Sequence, residues 1–189
     1  IMLWEAVYGD TGRYIRTLVD RFFFKIPFLD QAALRPMGIS VANWENARTL
    51  LEKDELVLLS PGGMREWGKP SSKRYSINWK GRTGYAKLAI ETQTPIILAA
   101  CPKADDLYDI YDNPVSRFIY NKFRAPFVVT RGFGFSQLPR PVKLTHYLSE
   151  PLMPPKMKGA TPTDEEVRAF HESVESKMKE LLMEGIING

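Results

Sequence analysis

Two short apolar runs, Glu55-Leu56-Val57-Leu58-Leu59-Ser60 and Pro95-Ile96-Ile97-Leu98-Ala99-Ala100-Cys101, bracket a stretch, 80–93, whose residues suit a helix. No other feature limits the fold as tightly. Continuous apolar runs of this length suit strands covered on both faces, and such strands occur in parallel sheets joined by helical crossovers. The alternation extends along the chain. Residues 13–20 and 37–42 read as strands, and Asn43 caps a helix whose Trp44, Ala47, Leu50 and Leu51 share one face. Residues 127–130 and 142–148 read as further strands, and 105–122 as a helix interrupted at Asn113-Pro114. Residues 1–9 read as the tail of a helix stopped at Gly9.

Near the end, Thr163 and Glu166 have the spacing of a capping box. The helix they open, over 163–186, carries Val167, Phe170, His171 and Val174 on its inner stripe. The expected fold is therefore α/β, with a mostly parallel central sheet flanked by helices on both faces, in a single domain over 1–189.

A chain of 189 residues buries enough apolar surface to fold without disulfides or metals. Its one cysteine, Cys101, excludes an intrachain disulfide and a cysteine-based metal cluster, ends an apolar run as a small buried thiol, and suits a reducing, cytosol-facing compartment. The net charge of +4 fits an anionic ligand, an anionic membrane surface or nucleic acid, and selects none of them. No apolar stretch approaches the roughly 18 residues of a membrane span.

Chemistry concentrates in two segments. Ser60-Pro61-Gly62-Gly63-Met64-Arg65-Glu66 follows a strand directly, where α/β proteins bind ligands. Gly62 and Gly63 allow backbone N–H groups to approach a ligand, Arg65 can pair with a phosphate or carboxylate, and Glu66 can orient Arg65. Lys80-Gly81-Arg82-Thr83-Gly84 opens a helix and so places basic side chains and backbone donors at a helix N-terminus. A tight turn with a surface ion pair, and a merely basic helix start, are the plain alternatives. Phe22, Phe23, Phe24, Ile26, Phe28 and Leu29 form an aromatic and apolar segment suited to core, acyl channel or bilayer, with Arg21 and Lys25 able to meet lipid phosphates. Asp105, Asp106 and Asp109 suit a helix N-terminus rather than a metal site.

The order Pro61-Gly62-Gly63-x-Arg65-Glu66, then Lys80-Gly81-x-x-Gly84-Tyr85-x-x-Leu88-Ala89, then Thr94-Pro95-Ile96-Ile97 resembles the glycerolipid acyltransferase superfamily. It is most similar to the branch holding mono- and diacylglycerol acyltransferases and their bacterial relatives. The resemblance implies transfer of a fatty acyl group from a thioester, acyl-CoA or an acyl-carrier protein, to the hydroxyl of a glycerolipid or related lipid. It implies no metal and no cofactor beyond that co-substrate, no nucleic acid, and work at a membrane surface facing the cytoplasm. Substrate-binding residues carried over are Pro61, Gly62, Gly63, Arg65 and Glu66, with Lys80 and Arg21 as further basic contacts.

The family's base is a histidine in a His-x-x-x-x-Asp motif, which takes the acceptor hydroxyl's proton while the aspartate orients the ring. The two histidines here do not make it: Pro151 stands five residues after His146 and Ser176 five after His171. The expectation is that the motif lies just upstream of Ile1; a domain that binds lipid without catalysis is the alternative. Gly81-Arg82-Thr83-Gly84 also fits the backbone-clamping loop of KH domains, but those are much smaller. No Gly-x-Ser-x-Gly elbow supports a serine hydrolase. The reading requires the turn at Arg65 and the helix start at Lys80 to face one cleft at the end of a parallel sheet.

Overall fold

A computed structural model describes residues 2–26, 28–123, 128–157 and 159–188. The fold is α/β. Strand β1 (Ile15–Val19) lies between β2 (Ser40–Val41) and β3 (Leu56–Leu58), and both pairings are parallel. The register sets Ile15 opposite Leu56 and Thr17 opposite Leu58. Helix α1 (Met2–Thr11) contacts β1, and α2 (Trp44–Glu52) packs on β3. Helix α1 runs past Gly9, because Gly9 continues the helical backbone. The turn comes at Gly12, which adopts the positive φ of +68° that an L-side chain resists.

The cap of α2 forms as its sequence dictates: the Asn43 carboxamide oxygen accepts the Asn46 N–H at 2.7 Å. Ala47 is buried against Leu18 of β1 and Leu88 of α4 (Gly84–Thr92). Helix α4 is buried on a second side as well. Ala86, Ala89 and Ile90 meet Val167, Phe170 and Val174 of α6 (Asp164–Asn188) and Leu98 and Ala100 beside the sheet. Fully burying side chains the size of Ile90 and Val174 stabilises the fold by about 1.5–3 kcal/mol each. Thr163 and Glu166 close the capping box in both directions: the Glu166 carboxylate accepts the Thr163 N–H at 2.9 Å, and the Thr163 hydroxyl accepts the Glu166 N–H at 3.2 Å.

The parallel sheet has three strands; two further ribbons are antiparallel. Residues 95–101, expected as a strand buried on both faces, are regular only over β4 (Ala99–Ala100), which pairs antiparallel with β7 (Tyr147–Leu148), extended by a bridge between Ile96 and Leu152. One face is covered by α6 and the other is open, so Leu98 and Ala100 are buried while Ile97 is 55% exposed. The helix expected over 105–122 is also divided. A 3-10 turn over Pro102–Asp106 leads into β5 (Asp109–Tyr111), paired antiparallel with β6 (Val129–Arg131), and α5 (Pro114–Phe123) begins only at Pro114. The expected strand at 127–130 is β6; Phe127 lies outside the described residues. Within 61–79, expected as a loop, lies a one-turn helix, α3 (Met64–Trp67).

Candidate active site

The glycine-rich turn begins two residues beyond the carboxyl end of β3 and is shaped by two contacts. Gly62 is buried with the Glu66 side chain folded over it, so closely that a methyl group there would collide with it. Gly63 adopts φ +54° and ψ −141°, a conformation essentially restricted to glycine, and starts α3. The Arg82 guanidinium reaches back across the turn. Its Nη1 donates to the carbonyl oxygens of Pro61 and Gly62, both at 3.1 Å. The two basic and glycine-rich segments, separated by the thirteen residues 67–79, are thereby fastened together.

The Glu66 carboxylate does not orient Arg65. It accepts the Asn78 N–H at 3.4 Å and lies against Gly62, because α3 turns the two side chains apart. Arg65 is half-buried, Lys80 and Arg21 are exposed, and none of the three side chains has a hydrogen bond or ion pair with another described residue. Lys80 holds φ +48°, a left-handed residue at the approach to α4. Arg21 begins a 3-10 turn over Arg21–Lys25 in which no residue is buried, and Phe28 is 87% exposed. Phe22, Phe23, Phe24 and Leu29 are half-buried and Ile26 and Phe28 exposed, so the segment lies partly covered at the surface.

One cavity adjoins each of the two motifs. One, of about 460 Å³, has Glu66 and Trp67 in its wall. The other, of about 470 Å³, lies between Gly81 and Thr83 on one side and α6 on the other, with His171 and Glu175 in its wall. Neither Arg65 nor Lys80 lines either of these two cavities.

His171 is a structural residue by its contacts. It is 5% exposed, its Nδ1 lies 2.9 Å from the Tyr85 hydroxyl, and its Nε2 lies 3.5 Å from Glu175. Tyr85 and the buried Trp79 meet edge to face at 5.6 Å, and burial raises the Tyr85 hydroxyl far above its ordinary pKa. His146 is half-buried beside β7. Cys101 is half-buried too, and that burial raises its thiol pKa.

The acidic cluster is an ion-pair hub, not a helix start. Asp109 receives Arg140, Arg131 at 3.0 Å and Arg74 at 2.8 Å, and these bonds hold its carboxyl far below the usual carboxylate range. Asp105 pairs with Lys69 at 2.8 Å, and Asp106 accepts the Tyr75 hydroxyl at 2.6 Å, pushing that hydroxyl to about 12. Among the described residues no group of histidine, cysteine and carboxylate side chains could hold a metal ion. No described helix is long and apolar enough to cross a membrane.

Arg82 is the residue a reading of the sequence passes over. Its signal was present, an arginine inside the second motif, but only the folded turn shows which carbonyls it holds.

The fold is that of an α/β protein, and the glycine-bearing turn lies beyond the carboxyl end of a parallel strand, where such proteins commonly bind ligands. The chain belongs to the diacylglycerol acyltransferase family, whose pattern it matches over residues 5–185. It is 31% identical to the bovine (Bos taurus) "DGAT1/2-independent enzyme synthesizing storage lipids", with 96% of this chain and 54% of that protein aligned. It is 33% identical to the human protein of the same description, over 77% of this chain and 43% of that one. An uncharacterized protein of Mycobacterium tuberculosis is 30% identical over 57% of the chain and 30% of its own length. The chain thus spans about half the length, or less, of the curated relatives it matches. No solved structure matches it.

Proposed function

We propose that this chain forms the substrate-binding part of a membrane-surface O-acyltransferase facing the cytoplasm. The reaction moves a fatty acyl group from acyl-CoA or an acyl-carrier protein to the hydroxyl of a glycerolipid or related lipid. The observation that carries the reading is the fastening of the Pro61–Gly63 turn by Arg82 at the end of β3, in a chain of the diacylglycerol acyltransferase family. It supports one binding surface built from both motifs, with the wider kinship to glycerolipid acyltransferases resting on the same residues.

In this reading Arg65 meets the negative charge of a substrate. A half-buried guanidinium with no internal partner among the described residues is ready for a bidentate pair with a phosphate or carboxylate. Lys80 and Arg21 hold lipid or thioester phosphates more loosely, as exposed cations. Pro61, Gly62, Gly63 and Glu66 set the backbone that aims Arg65.

In this reading the general base is the imidazole that the family resemblance implies. Neither histidine here fits that role, since His171 is engaged with Tyr85 and Glu175 and His146 lies near β7, away from both motifs in sequence. The acceptor hydroxyl gives its proton to that imidazole and its oxygen attacks the thioester carbonyl. The C–S bond then breaks, and the thiol leaves with the proton.

The test is acyl transfer by the full-length protein from radiolabelled oleoyl-CoA to a panel of lyso-, mono- and diacylglycerol acceptors. A labelled product that falls at least tenfold in Arg65→Ala is the expected result. Lipid binding without transfer to any acceptor would leave the non-catalytic reading in its place.

A further inference from the structure

The cavity beside Glu66 has walls from three parts of the chain: the segment 66–74, the segment 104–110, and the β6 strand with its following loop, 128–137. Its volume, about 460 Å³, lies within the ~300–1,000 Å³ usual for small-molecule sites. Two properties of its wall select an occupant.

The first is that the side chains of Lys69, Arg74, Ser71, Thr130 and Gln137 are already engaged. Lys69 pairs with Asp105 and donates to the Ser76 carbonyl at 2.9 Å. Arg74 donates to the carbonyls of Asp105 and Tyr108 as well as to Asp109. The Ser71 hydroxyl accepts the Ile110 N–H at 2.7 Å, and Thr130 and Gln137 bond to each other twice. What the wall offers a ligand is Trp67, Pro70, Leu107, Tyr108, Ile110 and Val128. A charged ligand would compete with these existing bonds, whereas an apolar one breaks none.

The second is the loop that Thr130 and Gln137 anchor. It is held in shape by its own bonds, Gly132 N–H to the Ser136 carbonyl and Phe133 N–H to the Leu138 carbonyl, both at 2.8 Å. Yet this ordered loop presents Phe133, Phe135 and Leu138 to solvent, at 63%, 96% and 67% exposure. Three large apolar side chains held outward beside a hollow form the kind of exposed patch that meets a membrane, a ligand or a partner.

We propose that this cavity takes a fatty acyl chain of the lipid substrate, received past the Phe133–Leu138 loop and laid along the opposite side of α3 from the charge bound by Arg65. The chain belongs either to the thioester or to the glycerolipid acceptor. The proposal rests on the acyltransferase reading above, and it gives that reading a chain-length gauge. Each pair of methylenes seated in the cavity strengthens binding roughly tenfold.

The experiment is photolabelling of the full-length protein in phosphatidylcholine vesicles. One arm uses palmitoyl-CoA with a diazirine near its methyl end; the other uses a diacylglycerol carrying the same group. The expected result is label on peptides covering 104–110 or 128–137 in one of the arms, which identifies the source of the chain. Ala104→Phe, which adds bulk at the cavity wall, reduces that label at least tenfold while labelling by an octanoyl analogue persists. Label confined to other segments in both arms, the 22–29 aromatic segment included, overturns the proposal, as does undiminished labelling in Ala104→Phe. If Ala104→Phe fails to fold, the wild-type label map decides by itself. Label in the cavity of a protein that transfers nothing would refute the enzyme reading and keep the cavity. Transfer with label elsewhere would do the reverse.

Discussion

Replacing Arg82 by alanine removes the fastening between the two motifs while touching no buried side chain. Arg82 is exposed and its Nη1 makes two hydrogen bonds, to the Pro61 and Gly62 carbonyls, each at 3.1 Å. Hydrogen bonds from a charged donor contribute ~1.5–3 kcal/mol when shielded, and exposure places this pair together near the low end, about 1.5–2 kcal/mol. In a chain of this length each kcal/mol shifts the melting temperature by about 2–4 °C, so a fall of about 3–8 °C is expected. The functional loss should exceed what the melting shift suggests. Freeing the turn releases Arg65 from its aimed position, and each ~1.4 kcal/mol of lost transition-state binding costs tenfold in kcat/KM. Arg82→Lys keeps the charge but not the planar fork, and should recover about half of the stability. Thermal melting and initial rates of acyl transfer by the full-length protein measure both. An Arg82→Ala protein with wild-type melting temperature and wild-type kcat/KM would show that the contact shapes nothing.

Four further outcomes are expected. Gly63→Ala forces a side chain into a glycine-only conformation and sets its methyl 2.9 Å from Arg82 Nη1, so it should cost about 1–3 kcal/mol; denaturant titration measures it, and the loss should be less than additive with Arg82→Ala. Asp109→Asn should lower the melting temperature at neutral pH. Because the folded carboxyl lies below its ordinary value of 3.8, its stabilisation is present above about pH 4–5 and disappears as pH falls through the folded value; melting curves of the two proteins should therefore converge in acid. His171→Leu leaves the Tyr85 hydroxyl unpaired and should destabilise by about 1–3 kcal/mol without changing transfer per folded molecule; a change in the pH–rate profile would argue against a structural histidine. Gly185→Ala places a methyl 2.8 Å from Pro102 and Tyr147, and should lose about 1–3 kcal/mol by crowding, partly offset by alanine's better helix propensity.

Features governed by neighbouring residues were legible in the sequence. The Asn43 cap and the Thr163–Glu166 box depend on side chains within a few positions of each other, and each forms as its spacing dictates; the run before Pro61 does form a strand, but only over Leu56–Leu58 and half-buried rather than covered on both faces. What could not be read depends on distant partners. Residues 105–122 carry helix-compatible composition, but Asp109 is drawn into a strand by arginines at 74, 131 and 140, three separate segments. Residues 95–101 have the composition of a strand covered twice, but their pairing partner lies some fifty residues on and leaves one face open. The glycine turn was found from its pattern; its fastening was not, since nothing local tells an arginine which carbonyls it will meet.

Helix α6 covers the apolar side of α4 and the ribbon formed by β4 and β7, so the larger core is completed by the segment translated after everything it covers. Until those turns leave the ribosome, Ile90, Leu98 and their neighbours stand bare to solvent. A nascent chain in that state presents a sticky seam to chaperones and to other copies of itself, and a stop codon before Thr163 would make that exposure permanent.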